Sequence, residues 1–311
     1  MVVDDEGRTV LLRGPVRRVV SIVPSLTEAV AATHRDLLVG ATDWCTHPAD
    51  LDVARIRGTK NPDIETIVAL RPDLVLANAE ENRAPDLDAL RGAGVAVYVT
   101  DIRTLDGAFA SLRRMLAACG FPRVGWLAEA EAAWAAVPEP AVRRRAVVPV
   151  WRRPWMAVGR DTFTGAVLAR LGVDNVLADH SERYPRIDPA ALPPHDLVVL
   201  PDEPYLFTAD DGPEAFAAPS VLVSGRLLTW YGPSLATARA DLLDLIALRR
   251  FLPRCVYPGP SRKTVCSPPS TGPPRPQSTP PPGASPRRVA PGEVSLAGKW
   301  SRRSVQSPAQ I

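Results

Sequence analysis

The feature that most constrains the fold is an internal repeat with an offset of about 123 residues. Ile64 precedes Asp73 by nine residues and Ile187 precedes Asp196 by nine, and both intervals end in Asp-Leu-Val. Because the predicted elements around the two intervals occur in the same order, a chance match is a poor explanation. A repeat of this length indicates two similar lobes.

Short apolar runs alternate with helical segments in both halves of the chain. The predicted strands are 18–23, 38–42, 73–77, 95–99, 146–150, a segment around 198–199, and 219–223. The predicted helices are 64–70, 87–92, 123–137 and 161–171, the last capped by Asp161 or Thr162. Ser25 and Glu28, three residues apart before an alanine-rich run, predict a capping box.

Strands that alternate with helices are typical of parallel, doubly wound sheets. We therefore predict an α/β fold with two doubly wound lobes, parallel sheets and a ligand cleft between the lobes. The predicted boundaries are 15–120 for the first lobe, 121–138 for an interlobe helix, 139–252 for the second lobe and 253–311 for a tail. A helical connection predicts a stiff pair of lobes, limited closure and a largely preformed cleft.

The tail differs sharply in composition from the rest of the chain. From Pro253 onward it holds 14 of the 34 prolines, and nine basic residues against one acid. Few large apolar residues remain to offset the entropy of ordering, so we predict a disordered tail. The net charge of the tail is +8 and that of the whole chain is +3, so the part before the tail has a net charge of −5. The basic residues of the tail therefore give no indication of a nucleic-acid partner for the fold.

The amino terminus bears on location. Residues 1–6 are acidic, and no apolar run of signal-peptide length precedes the first strand. The sequence as written predicts a cytoplasmic protein, and an extracytoplasmic one if translation begins upstream. No segment is apolar for long enough to predict a membrane span.

The runs 20–28, 38–42 and 64–75 together resemble the helical-backbone substrate-binding proteins, the cobalamin- and iron–siderophore-binding components of ABC importers. The resemblance covers residues 18 to about 250. It implies a monomeric binding protein that is not an enzyme, has no intrinsic cofactor and holds a large metal-chelate or corrinoid ligand between its lobes. It also implies Glu65 as a docking residue for an ABC permease. The repeat-related position of lobe two holds Ala190, which leaves the permease partnership open.

In open α/β sheets, ligands bind beyond the carboxyl ends of the strands. The loops there are rich in aromatic and basic side chains, which suit a large, flat ligand with acidic groups. An alternative is that some rings only pack between the lobes. The candidate ligand-binding residues are Pro24, Ser25, Trp44, Trp151, Arg152, Arg153, Trp155, Arg160, Glu203, Tyr205, Arg226, Trp230 and Tyr231.

Other chemistries have weaker support in the sequence. Cys45 and His47, with His180 in the second half, could contact a soft metal, but two ligands on one loop do not make a site. Asp202 and Glu203 could act as an acid–base pair, although no common catalytic motif is present. The second hypothesis is therefore a cytosolic enzyme or metallochaperone acting on a corrinoid or siderophore, and the third is a ligand-sensing interaction module.

Overall fold

The computed structural model describes residues 1–135 and 142–248. The last residues of the predicted interlobe helix, 136–138, and the predicted disordered tail, 253–311, lie outside the described residues. The domain boundaries given above remain predictions.

The described residues form fifteen strands and eight α-helices. The strands are β1 (Val2–Val3), β2 (Thr9–Val10), β3 (Val19–Ser21), β4 (Leu38–Ala41), β5 (Ala54–Arg55), β6 (Arg57–Gly58), β7 (Asn61–Pro62), β8 (Leu74–Asn78), β9 (Val97–Thr100), β10 (Arg144–Val147), β11 (Pro149–Trp151), β12 (Met156–Ala157), β13 (Val173–Asn175), β14 (Leu197–Pro201) and β15 (Ser220–Val223). The helices are α1 (Pro24–His34), α2 (Ile64–Ala69), α3 (Ala84–Gly92), α4 (Leu105–Ala118), α5 (Gly125–Ala135), α6 (Phe163–Arg170), α7 (Gly225–Thr229) and α8 (Leu235–Leu248). Short 3-10 turns lie at Arg35–Leu37, Pro189–Ala191 and Pro213–Ala215.

Two parallel sheets form the two lobes. Lobe one has the strand order β5-β4-β3-β8-β9, and lobe two has the order β13-β10-β14-β15. The four strands of lobe two therefore repeat the order of β4, β3, β8 and β9. This confirms the predicted α/β fold with parallel sheets.

The register of the strands shows the same repeat residue by residue. Val75 pairs with Val97 in lobe one and Val198 pairs with Ser220 in lobe two, so each pair joins residues 22 apart in the chain. The two aspartates of the repeat also have the same role. Asp73 accepts hydrogen bonds from the backbone of the segment before β3, and Asp196 accepts one from the backbone of β10. Each carboxylate thus fixes the start of its strand against the neighbouring strand.

One hydrophobic core lies behind both sheets. It includes Leu74 under the first sheet, Val199 under the second, and Leu112 and Trp134 from the helices between them. The Trp134 indole donates a 2.8 Å hydrogen bond to the Leu235 carbonyl oxygen, which joins α5 to α8. Because α4, α5, α6 and α8 pack together, the two lobes have a common helical support.

Three local predictions were wrong or incomplete. The capping box does not form, because α1 begins at Pro24 with Val23 as its N-cap and no side-chain cap. Ser25 therefore lies inside the first turn. The strand predicted at 146–150 is divided into β10 and β11, and the segment 2–10, outside the predicted lobe, forms a hairpin that bonds to the backbone of Val99. By contrast, Thr162 does cap α6, by accepting from the Gly165 amide.

No helix in the described part of the chain is both long and apolar enough to cross a bilayer.

Candidate functional site between the lobes

The loops that follow the carboxyl ends of the strands meet where the two lobes face each other. We call this surface the seam. The buried strand ends bring polar side chains to it from both lobes. The seam residues of lobe one are Ser25, Glu28, Glu80 and Glu81, and those of lobe two are Arg183, Tyr184, Glu203, Arg226, Trp230 and Tyr231.

The first cross-lobe contact is an ion pair between Glu28 in α1 and Arg226 in α7. The Arg226 Nε atom lies 3.3 Å from Glu28 Oε2, and its Nη2 atom donates to Oε1. The Glu28 side chain is only 8% exposed and that of Arg226 is 32% exposed. Glu28, which the sequence assigned to a helix cap, instead holds the two lobes together.

The second contact uses the acidic pair that follows β8. The Arg183 Nη2 atom lies 2.6 Å from Glu80 Oε2, and the Tyr184 hydroxyl donates to Glu80 Oε1. Burial, followed by the nearby Glu80 charge, raises the pKa of Tyr184 well above its ordinary value. One carboxylate of lobe one therefore accepts from two adjacent residues of lobe two.

The third contact joins Glu81 to Tyr231. The Tyr231 hydroxyl donates to Glu81 Oε1 over 3.1 Å, and its ring packs edge-on against Phe163 at a centroid distance of 5.6 Å. Burial raises the pKa of Glu81 to about 7, opposed by this hydrogen bond. Ser25, whose side chain is buried in the first turn of α1, lies beside the same hydroxyl.

Glu203 is a second carboxyl group with an altered pKa at the seam. Burial, followed by the neighbouring Asp202 charge, raises the pKa of Glu203 to about 7. Its Oε1 atom is buried without a hydrogen-bond partner. Trp230 lies beside this carboxyl group and takes the His47 ring of lobe one edge-on at 5.5 Å. Glu203 therefore has a buried carboxyl oxygen without a hydrogen-bond partner next to Trp230.

Three other aromatic candidates, Trp151, Trp155 and Tyr205, belong to a separate cluster within lobe two. Trp151 meets Tyr205 edge-on at 5.8 Å, and Trp155 stacks on Phe207 at 5.8 Å. Arg152 lies over the Trp155 ring and pairs with the carboxylates of Asp211 and Glu214. The Tyr205 hydroxyl donates to Asp211 over 2.6 Å. The Arg152 guanidinium is therefore already neutralised inside lobe two.

The structure does not bring the other candidates into one place. Pro24 begins α1, and Trp44 is half-buried with its indole nitrogen against Gly58. Arg153 and Arg160 are exposed, and Arg160 lies 3.4 Å from Asp161. The seam thus brings together Ser25, Glu203, Arg226, Trp230 and Tyr231 from the predicted set.

Residues 19–193 match the family model described as Periplasmic binding protein. The chain belongs to the periplasmic binding protein family. The vitamin B12-binding protein of Vibrio campbellii is a relative of it, 27% identical over an alignment of 181 positions that covers 56% of this chain. The match covers 66% of that relative, so the chain spans just under two thirds of its length.

Solved structures of other periplasmic binding proteins are similar to this chain in fold. The periplasmic heme-binding protein of Roseiflexus sp. RS-1 in apo form has a TM-score of 0.60 and 21% identity, over 75% of this chain and 98% of that one. The periplasmic vitamin B12-binding protein of Vibrio cholerae has a TM-score of 0.57 and 19% identity, over 76% and 99% of the two chains. At these identities the likeness shows the fold and does not identify a ligand.

Within this periplasmic binding protein fold, the Cys45 and His47 side chains have different surroundings. Cys45 is buried in the core, with its Sγ atom 3.0 Å from the Thr27 hydroxyl and 3.1 Å from that of Thr42. Burial raises the pKa of the Cys45 thiol. His47 packs on Trp230 instead. Among the described residues, no group of three or more His, Cys, Asp and Glu side chains could hold a metal ion.

Five seam residues of this periplasmic binding protein are not among the ligand-binding candidates predicted from the sequence. Glu80 and Glu81 form an acidic pair only two residues beyond a buried strand, a position that could have identified them. Arg183 and Tyr184 follow β13, a strand too short and too polar to be predicted. The missed residues are Glu28, Glu80, Glu81, Arg183 and Tyr184.

Proposed function

We propose that the protein is the substrate-binding component of an ABC importer and binds a large metal chelate or tetrapyrrole-like ligand, of the cobalamin or iron–siderophore type, between its lobes. The observation that carries the proposal is the seam itself. Three carboxylates of one lobe contact guanidinium and phenol groups of the other, at the carboxyl ends of two parallel sheets. This is the place where open α/β sheets bind ligands.

The ligand enters by separating the seam. The seam side chains contact one another directly, because opposite charges attract across it. The shared core behind the sheets remains packed while the polar contacts exchange for contacts with the ligand. Trp230 and Tyr231, buried in the free protein, then offer aromatic surface worth about 25 cal/mol per Å² buried.

The partners follow from the family and from the surface. Glu65 in α2 is exposed, as a docking residue for a permease must be, and Ala190 at the related turn of lobe two is also exposed. Lobe one therefore supplies the charged docking contact. The relatives are periplasmic, which supports a location outside the cytoplasm for a monomeric chain that binds its ligand without catalysis or an intrinsic cofactor.

Titration of the purified protein with cobalamin, a ferric catecholate and haem, followed by tryptophan fluorescence, tests the binding proposal. We expect saturable quenching by at least one of the three. Arg226→Ala should weaken binding at least about tenfold, because a charge-assisted contact contributes about 1.5–3 kcal/mol. Arg113→Ala, a change in the exposed surface of α4, serves as the matched control and should leave the affinity unchanged.

Trp151→Ala separates the seam from the cluster within lobe two. A tenfold weaker affinity would place that cluster in the binding site as well, whereas an unchanged affinity would confine ligand contact to the seam. If none of the three ligands changes the fluorescence or the melting temperature, the binding proposal is wrong. Cell fractionation with a carboxyl-terminal reporter tests the location, and purely cytoplasmic signal would contradict it.

A further inference from the structure

The seam brings together more carboxyl groups than cations. Among the described residues, five carboxyl groups face one another there, those of Glu28, Glu80, Glu81, Asp202 and Glu203. Three cations lie among them, those of Lys60, Arg183 and Arg226. With every group ionised, the contact between the lobes would carry two uncompensated negative charges. Two bound protons make it neutral.

Two further arginines near this group of charges are already engaged. Arg83 lies near Lys60, but its Nε atom is 2.8 Å from the Asp86 carboxylate. Arg103 lies near Glu80, but its Nη2 atom is 2.9 Å from the Asp101 carboxylate. Both pairs belong to lobe one, so neither arginine supplies the missing positive charge.

Three of the five acids have a donor that stabilises their charge. Glu28 and Glu80 pair with the two arginines of lobe two, as described above. The Asp202 carboxylate accepts a 2.6 Å hydrogen bond from the Gly225 amide. Hydrogen bonds of this kind favour the ionised form of a carboxyl group. The excess negative charge therefore falls on the other two acids.

Glu81 and Glu203 are those two acids, one from each lobe. Among the described residues, no charged donor is bonded to either of them. Glu81 accepts from the neutral Tyr231 hydroxyl, and Glu203 Oε1 is buried without a partner. The Lys60 ammonium attracts Glu81 but donates to the backbone oxygen of Glu80. Burial, with the neighbouring acidic charges, raises the pKa of both carboxyl groups to about 7.

We propose that the seam opens and closes with pH in the absence of ligand: protonation of Glu81 and Glu203 keeps the lobes in contact, and loss of both protons separates them. Two added charges among three existing carboxylates repel one another, and separation of the lobes returns them to water. The seam is then closed below neutral pH and accessible above it. The inference does not require a particular ligand, because it concerns the protein alone.

The direction of the effect follows from which state binds the protons more tightly. In the closed seam both pKa values are about 7, and contact with water returns them toward the ordinary value of 4.5. The protons therefore stabilise the closed state fully below about pH 4.5, and this stabilisation is lost as the pH rises through about 7. Between about pH 5.5 and pH 8.5, the ratio of closed to open molecules should fall at least about tenfold.

A distance measurement across the seam tests the inference without any ligand. Ala84→Cys and Ser181→Cys place one nitroxide label on each lobe, at exposed positions near Glu80 and Arg183. Cys255→Ser and Cys266→Ser prevent labelling of the tail, and the two remaining cysteines are buried. Pulsed electron paramagnetic resonance of the full chain should show a population with a longer label-to-label distance at pH 8.5 that is depleted at pH 5.5.

Three variants in the labelled protein identify the groups that titrate. Glu81→Gln with Glu203→Gln should keep the short distance at both pH values, because glutamine stays neutral. His47→Gln should retain the native response, although histidine is the usual source of pH dependence in this range. His47 packs edge-on against Trp230 and lies 3.1 Å from the Thr46 hydroxyl through its Nδ1 atom. Glu129→Gln on the exposed surface of α5 is the matched control and should also respond as the native protein does.

A native distance distribution that is the same at both pH values would overturn the inference and leave the proposed function intact, because no ligand is present. Opening of the double glutamine variant at pH 8.5, or loss of the response in His47→Gln, would contradict it as well. Thermal unfolding verifies that each variant is folded at both pH values. If the double variant does not fold, Glu203→Gln alone removes one of the two titrations and should respond less than the native protein. An equal response of that single variant would overturn the inference.

Discussion

The Tyr231 hydroxyl donates a 3.1 Å hydrogen bond to Glu81, a residue 150 positions away in the chain and on the opposite lobe. Tyr231 is buried, and its pKa is raised well above its ordinary value, first by burial and then by the Glu81 charge. The pKa of Glu81 is also raised, to about 7. The contact between the lobes is therefore linked to protonation near neutral pH.

Glu81→Gln should change how stability depends on pH. Burial raises the pKa of Glu81 from 4.5 to about 7 in the folded protein. The folded state thus binds this proton more tightly than the unfolded chain. The stability contributed by the proton is fully present below about pH 4.5 and is lost as the pH rises through about 7. The glutamine variant stays neutral. The free energy of unfolding of the variant minus that of the native protein should therefore increase by ~1–2 kcal/mol between about pH 5.5 and pH 8.5. Urea unfolding at both pH values measures this, and a constant difference would contradict it.

Arg226→Ala should destabilise the free protein more than the loss of one contact suggests. It leaves the Glu28 carboxylate buried without its cation, which costs about 3–5 kcal/mol for a fully buried group and less here because Arg226 is partly exposed. The double variant Glu28→Gln with Arg226→Ala should recover at least half of that loss. Denaturant unfolding of both single variants and the double variant completes the cycle. Additive losses would show that the two side chains do not interact.

Gly159→Ala should disturb the loop that carries Arg183. A Cβ atom at Gly159 would overlap the Glu182 carbonyl oxygen and lie 2.9 Å from Pro185 Cδ. Because backbone must move to relieve the overlap, we expect a loss of about 1–3 kcal/mol in the free energy of unfolding. Gly92→Ala in α3 is the control, since nothing lies within 4 Å of its Cβ position. The control should be neutral or slightly stabilising, and equal effects of the two changes would rule out the steric explanation.

Trp134→Ala should lower the temperature at which both lobes unfold together in a single transition. The side chain is 1% exposed in the shared core and bonds to the Leu235 carbonyl oxygen. Removing a buried tryptophan costs about 3–5 kcal/mol. Calorimetry should show one transition that shifts to lower temperature as a whole. A second transition that keeps the native melting temperature would mean that one lobe folds without the core of the other.

The parallel sheets could be predicted because their strands are buried on both faces. Such strands are continuous apolar runs, as in β8 and β14, and each begins after an aspartate that bonds to the neighbouring strand. The helix α4 escaped prediction although it is long. Its apolar residues lie between Leu105 and Ala118 in a segment without a proline or a strand-like run to mark its start. The start of α4 is marked by Thr104, whose side chain caps the helix by accepting a hydrogen bond from the Gly107 amide.

The sequence indicated which loops carry the candidate side chains, but not which of those side chains pair. Aromatic and basic residues after strands indicated the edge of each sheet at which the seam residues lie. They did not indicate that Arg152 pairs with Asp211 inside lobe two, or that Arg226 pairs with Glu28 in the other lobe. Both arginines follow a strand end, and the partner of each depends on the relative placement of loops far apart in the chain. Local residue patterns carry no information about that placement.

The core that the two lobes share has a consequence for which substitutions the protein can accept. The faces of the seam belong to separate loops, whereas the apolar residues that support them form one continuous cluster from Val10 to Ile246. Substitutions in one face of the seam can therefore change that face without a compensating change in the other. Substitutions in the shared core act on both lobes together, because α4, α5, α6 and α8 pack against one another. The repeated scaffold thus allows its two loop surfaces to vary separately while its interior varies as one unit.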